Sequence, residues 1–211
     1  MSLRAWRAVE NGHRPPGPQL LDGIVRSLQL DETEQVHLRR LAHAAASNTR
    51  PRSSPPGELA EAAAHVVAGH TGPAYAVDHR WRVIAANAAV QAAAPGIAVG
   101  RNLLRWFFKD PRARRLLPDW EQEAVELVGM VRAVQALHPH DDWYEAAMTR
   151  LAKADQTAER LWNDQTYISP LRPVSAIRVR CGQGGITEFT ATRVQPAAPD
   201  YYHGVQIVLL S

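Results

Sequence analysis

PAYAVDHRWRVIAAN, residues 73–87, breaks the helical period of the chain and decides its fold. PAYAVD (73–78) and RVIAAN (82–87) read as two short strands, and HRW between them reads as the turn of a hairpin. Upstream lies an Ala-rich helix, ELAEAAAHVVAG (58–69). Downstream comes a helical middle made of NLLRWFFKD (102–110), PDWEQEAVELVGMVRAVQAL (118–137), WYEAAMTRLAKA (143–154) and QTAERLWND (156–164). VSAIRVRC (174–181), TEFTATRV (187–194) and GVQIVLLS (204–211) then return to strand character, with GQGG (182–185) as a hairpin loop. Two strands, a helical block and three strands joined by short connections leave little room for parallel crossovers. The expected fold class is therefore α+β with an antiparallel sheet.

Residues 47–57, SNTRPRSSPPG, are polar and Pro-rich and read as a linker. The boundary divides the chain into a helical segment, 1–46, and the α+β domain, 58–211. In the first segment Ala5, Trp6 and Val9 make one face of a helix that Asn11-Gly12 ends. Pro15, Pro16 and Pro18 open a second helix with Leu20, Leu21, Ile24, Val25 and Leu28 as its apolar stripe. Asp31 with Glu34 has the spacing of a capping box at the start of a third, in which Val36, Leu38 and Leu41 are expected inside.

Lys and Arg number 24 against 21 Asp and Glu, a net charge of +3 that fits nucleic-acid binding without demanding it. Cys181 is the only cysteine, so no internal disulfide forms, a reducing cytoplasm is the natural compartment, and the thiol reads as a small core group. The longest uncharged run, residues 83–100, is interrupted by Asn87, Gln91, Pro95 and Gly96, too polar and short for a membrane span. Arg4, Arg7 and Glu10 interrupt any signal-peptide core. A cytoplasmic protein without a membrane partner is expected.

RAVENG (7–12) followed by HRPPGPQLLDGIVRSLQLDETEQVHLRRLA (13–42) resembles the second half of the helix-turn-helix domain of XRE-family bacterial regulators. PAYAVDHRWRVIAANAA (73–89), NLLRWFFKDPRARRLLPDWEQEA (102–124) and LHPHDD (137–142) are similar to the MmyB-like transcription-regulator ligand-binding domain. The resemblance implies a partial helix-turn-helix followed by a PAS-like domain whose five-stranded sheet carries helices on one face. It also implies two more helices ahead of the recognition helix, a dimer, DNA as partner and a small apolar ligand, fatty-acid-like if it carries a carboxylate.

By that resemblance Leu3, Arg4, Arg7 and Ala8 face the major groove, where Arg4 and Arg7 suit guanine O6 and N7. His13 and Arg14 would hold phosphates. Read without it, all four basic groups are ordinary solvated charges. Tyr75, Trp81, Trp106, Phe107, Trp120, Trp162 and Phe189 are the expected pocket lining, and Arg178 the expected carboxylate partner. The competing reading makes the rings core and Arg178 part of a solvated sheet face.

His138, His140, Asp141 and Asp142 offer metal-ligand types but crowd into one loop beside Pro139, so a solvated turn is expected and no metal. GQGG lacks the Lys-Ser/Thr of a phosphate-cradling loop, and EQEAVE (121–126) has no His or nucleophile fixed beside it. Neither an enzyme nor a cofactor is expected. A ligand-responsive regulator is the leading reading; a stand-alone small-molecule-binding or dimerisation module without DNA binding is the alternative.

Overall fold

The structure, a computed structural model, describes residues 3–13, 15–46, 57–164, 174–180, 184–195 and 205–211, with side chains from residue 6 onward. Arg14, Cys181 and all of the expected linker except Gly57 lie outside the described residues.

Three helices come first: α1 (Leu3–Glu10), α2 (Pro18–Leu28) and α3 (Glu32–Ala46). The capping box before α3 forms as read: Glu34 Oε2 accepts from the Asp31 N–H and Asp31 Oδ1 from the Glu34 N–H, each at 2.8 Å. Two free N–H groups of the first turn are satisfied this way. The interior expected from the apolar stripes forms only in part: Leu20, Leu21, Ile24, Val25, Leu38 and Leu41 are half-buried. Neither α2 nor α3 has a buried residue, and Val36, expected inside, is exposed along with Leu28. Two short amphipathic helices enclose too little volume to dry their own stripe.

The remaining elements form the α+β unit: α4 (Gly57–Gly69), β1 (Ala74–Asp78), β2 (Val83–Ala86), α5 (Ala88–Ala93), α6 (Leu103–Lys109), α7 (Pro111–Leu116), α8 (Trp120–Leu137), α9 (Trp143–Ala152), α10 (Gln156–Asn163), β3 (Val174–Arg180), β4 (Ile186–Val194) and β5 (Val205–Leu210). The five strands are antiparallel in the order β2-β1-β5-β4-β3. The last strand of the chain therefore pairs with the first and sits at the centre, and β5 accordingly reads as a nearly continuous buried run.

Strand alternation gives the sheet two unlike faces. Ala74, Ala76, Ala85, Val205 and Ile207 meet Ala63 and Val67 of α4, a surface of small side chains that lets the Ala-rich helix lie close. Tyr75, Val77, Ile177, Val179 and Phe189 face the opposite way and pack against α5 to α10, the main core. The expected helical face is present, and α4 adds a cover on the reverse side.

The hairpin at 78–82 closes with a three-residue loop. Trp81 N–H donates to Asp78 O at 2.9 Å, and Trp81 itself adopts φ 62°, the left-handed seat that usually takes glycine in such loops. A bulky residue there strains the backbone by about 1–3 kcal/mol, so its ring must be held from elsewhere. It is: Trp81 is buried and its carbonyl accepts from the Leu103 N–H at 2.8 Å.

Asn87 ties the domain together after the hairpin. Its Oδ1 accepts from the N–H groups of Ala74 (3.1 Å) and Val90 (3.0 Å), so it enters β1 and caps α5 at once. Its Nδ2 donates to the carbonyls of Gly72 (2.8 Å) and His70 (3.1 Å), which follow α4. Replacing Asn87 by Ala strands backbone groups on both sides and should cost about 3 kcal/mol, read as a lower urea midpoint at unchanged slope. A midpoint within experimental scatter of the parent would show that water replaces the carboxamide.

Candidate ligand-binding site

Between the sheet and the helical block lies a cavity of about 100 Å³. Its floor is β1, β3, β4 and β5, contributing Tyr75, Val77, Ile177, Val179, Phe189, Ala191, Val208 and Leu210. Its roof comes from the stretch α5 through α8: Val90, Ala94, Ile97, Leu103, Trp106, Phe107, Leu117 and Leu127. Residues one apart on a strand point to opposite faces, which is why Phe189, Ala191 and Arg193 enter the cavity together while Thr190 does not.

Two aromatic positions are set by backbone detail. Trp106 lies so close to Gly96 that a Cβ there would come within 2.7 Å of the indole, and Gly96 has φ 114°, so position 96 excludes any side chain on both counts. The Trp106 indole N–H donates to Pro95 O at 3.3 Å. Trp81 enters from the hairpin turn, and its buried indole Nε1 has no partner among the described residues. Trp81 lines both this cavity and a smaller hollow beside α3, and a buried donor left unmet is costly until an acceptor comes within its reach.

The cavity is not uniformly apolar. Glu123, Arg193, Tyr75 and Gln206 also line it. Glu123, Met130 and Arg193 are at the same time part of a neighbouring hollow of about 300 Å³ with Gln122, Glu126 and Ser175, so these three side chains stand between the apolar space and a polar one. Arg193 is held in place by donating to Ser175 Oγ at 2.6 Å. Burial raises the Glu123 carboxyl above the usual range, with Arg193 opposing and Glu126 and Asp119 adding to the rise. The Tyr75 phenol is likewise raised by burial, against the pull of Arg193.

Of the residues expected at the pocket, Tyr75, Trp81, Trp106, Phe107 and Phe189 line this cavity together. Trp120, Trp162 and Arg178 do not. Trp120 is core: it stacks on Phe107 at 5.2 Å, carries the Arg114 guanidinium 3.5 Å above its ring and donates to Phe107 O at 3.2 Å. Trp162 lies under Arg132 at 5.1 Å. Arg178 sits on the outer face of β3, where it pairs with Asp119 at 3.1 Å, both side chains well exposed. The arginine that reaches the cavity is Arg193, which the sequence reading missed; its one visible signal was parity with Phe189 in the same strand. Glu123 was noticed only as part of a Glu-rich run.

The N-terminal candidates lie elsewhere. Arg7 and His13 are exposed, Ala8 is half-buried, and Leu3 and Arg4 lie on α1. The 137–142 loop, expected to be a solvated turn, is partly buried instead: His138 is tilted against the His79 ring at 5.2 Å and stacked on Tyr144, and Asp141 binds Arg80 through two hydrogen bonds of 2.9 and 3.0 Å. Tyr144 hydroxyl donates to His79 O at 3.0 Å, so the loop stitches α9 to the hairpin. Among the described residues no group of three His, Cys, Asp or Glu is placed to hold a metal ion, and no helix is long and apolar enough to cross a membrane.

An antiparallel sheet roofed by helices thus encloses a largely apolar cavity with a few polar groups at its edge, the general build of a small-molecule site. The family of the MmyB-like transcription regulator ligand binding domain matches residues 59–205, and the chain belongs to that family. It is a ligand-binding module of the transcription-regulator type. A comparison with curated proteins finds no match.

The raised Glu123 carboxyl sets a pH dependence. Above the ordinary glutamate value of 4.5 the unfolded chain has given up its proton while the folded chain still holds it, so this group lowers stability as pH rises through that window. Glu123→Gln should therefore be more stable than the parent at neutral pH, with the difference vanishing below about pH 4, in denaturation midpoints measured across pH. Equal midpoints at all pH values would show that Glu123 is as well solvated in the fold as out of it.

Proposed function

We propose that this chain is the sensing part of an XRE-type DNA-binding regulator, and that its PAS-like domain takes a fatty-acid-like ligand with the hydrocarbon in the cavity and the carboxylate toward Arg193. The observation that carries the reading is the apolar cavity of about 100 Å³ beside a polar hollow with which it shares Glu123, Met130 and Arg193. That volume takes a short apolar segment. A longer chain displaces Met130, the lining side chain with the softest torsions. The strand order β2-β1-β5-β4-β3, with helices between the second and third strands, supports the PAS-like assignment. Burial shifts the Glu123 carboxyl toward its neutral form, which lessens the repulsion that a carboxylate placed beside it meets.

Signal transfer has a short physical route. α3 lies against α8, and a small hollow at that seam is lined by His37 and Arg40 of α3 together with Trp81, Met130 and Gln206. The last three also line the ligand cavity, so one layer of side chains separates ligand from the helical segment. A ligand that binds one arrangement of that layer more tightly shifts the position of α3 by its differential affinity. In the dimeric regulator this alters how two recognition helices, with Leu3, Arg4, Arg7 and Ala8 toward the groove and His13 and Arg14 toward phosphates, match two half-sites.

Titration with a series of saturated fatty acids tests the site. Ala191→Leu fills the cavity floor and should weaken binding by about tenfold or more, while Trp162→Phe, outside the cavity, should leave it unchanged. Equal affinity in both variants would remove the cavity from the reading. Operator retention by the regulator with and without the bound acid tests regulation; indifference to ligand would leave a binding module with no sensor role.

A further inference from the structure

We infer that the groove between α6 and α9 is a second binding site, for a soluble small molecule carrying phosphate or pyrophosphate. The groove has a volume of about 640 Å³ and shares no lining residue with the apolar cavity. Five cationic side chains line it against one carboxylate, Asp78. The whole chain has a net charge of only +3, so a groove with five cations against one carboxylate is a marked local excess. Arg105 and Lys109 stand four apart on α6, Arg150 faces them from α9, and Arg82 rises from the edge of the hairpin turn.

These cations have not been spent on ion pairs. Among the described residues Arg80 alone of the five has a carboxylate within ion-pairing distance, Asp141 at 2.9 Å. Like charges at i, i+4 weaken a helix, and cations brought together across a groove repel further, so the arrangement is unfavourable until an anion enters. The scaffold beneath them is fixed. Asp78 Oδ1 accepts from the N–H groups of Arg80 and Arg82, both at 2.9 Å. Asn102 Nδ2 donates to Arg80 O at 2.8 Å while its Oδ1 caps α6 through the Arg105 N–H at 3.1 Å. Asp141, besides holding the Arg80 guanidinium, accepts from the Trp143 N–H at 3.1 Å at the start of α9. Turn, α6 and α9 are thereby pinned to one another, and the four unpaired cations project from a rigid base.

The multiplicity of cations selects the ligand class. A single carboxylate balances one of them, whereas a pyrophosphate offers several oxygens and more than one charge to guanidinium forks that match phosphate geometry. Ala147 and Leu151 give the groove a buried apolar floor, and Trp143, with the Arg80 guanidinium 6.0 Å from its ring centre, gives it an aromatic wall. The phosphate rail of a duplex would use neither surface; the organic part of a nucleotide-sized molecule uses both.

Calorimetric titration of the full chain with inorganic pyrophosphate, and separately with adenosine diphosphate, tests this. Saturable binding is expected with Kd below about 1 mM, weakened about tenfold or more in the double variant Arg105→Gln, Lys109→Gln. Arg112→Gln, exposed on α7 outside the groove, should bind as the parent does, and circular dichroism should show all three proteins equally folded. Absence of binding, or binding that the double variant retains, overturns the proposal. Duplex DNA and vesicles containing phosphatidylglycerol form two further arms. Retention of either that is lost in the double variant and resists pyrophosphate competition assigns the groove to a polymer or a membrane surface, and overturns it as well.

Discussion

One carboxamide fixes the starting point of the domain. Asn87 holds the end of α4, the first residue of β1 and the first turn of α5 with a single planar group, whose oxygen accepts from two backbone N–H groups and whose nitrogen donates to three carbonyls. β1 is the hinge of the architecture because it pairs with β2 on one side and with β5 on the other. Fixing where β1 begins fixes its register, and register fixes which face Tyr75 and Val77 present. The cavity floor is thus a consequence of a hydrogen-bonding group that does not touch the cavity.

A second constraint is how the chain employs its arginines. Among the described residues three of them lie against indole rings: Arg114 on Trp120, Arg132 on Trp162 and Arg80 near Trp143. A guanidinium plane covers an aromatic face while keeping its donors free, as the paired Arg80 and Arg114 show. In a small domain this closes apolar surface without additional aliphatic bulk. It leaves the aliphatic and remaining aromatic side chains to bound the interior space, and it concentrates positive charge on the outer side of the helical block.

The same habit explains what could be read from the sequence. All five strands were legible because strand alternation in 73–87 and 174–211 contrasts with the helical spacing between them, and the Asp31–Glu34 box was legible because capping is local. α5 and α7 were not singled out; each is six residues long, begun by an Asn or Asp cap with too little length to show a period. Five cavity-lining rings were found from bulk alone, but bulk does not tell a ring that lines a void from one that lies under an arginine, so Trp120 and Trp162 were grouped with them. Arg178 and Arg193 differ only in the face their strands turn inward. The meeting of Arg193 with Glu123 joins a strand to a helix seventy positions away, a distance over which no local pattern carries information. Val36 looked internal because periodicity identifies a stripe and says nothing of whether anything covers it.

The absence of buried residues from α2 and α3 has a dynamic consequence. Amide hydrogens exchange through local opening, and the free energy of opening follows the apolar surface that opening exposes. The capping box slows fraying at the start of α3, yet the helix body has only half-buried side chains to expose on separating from α8. The chain should therefore have two tiers of protection, with the first three helices exchanging well ahead of the sheet. A segment held so lightly moves between arrangements quickly, and a modest change in the surface beneath it is enough to redistribute them.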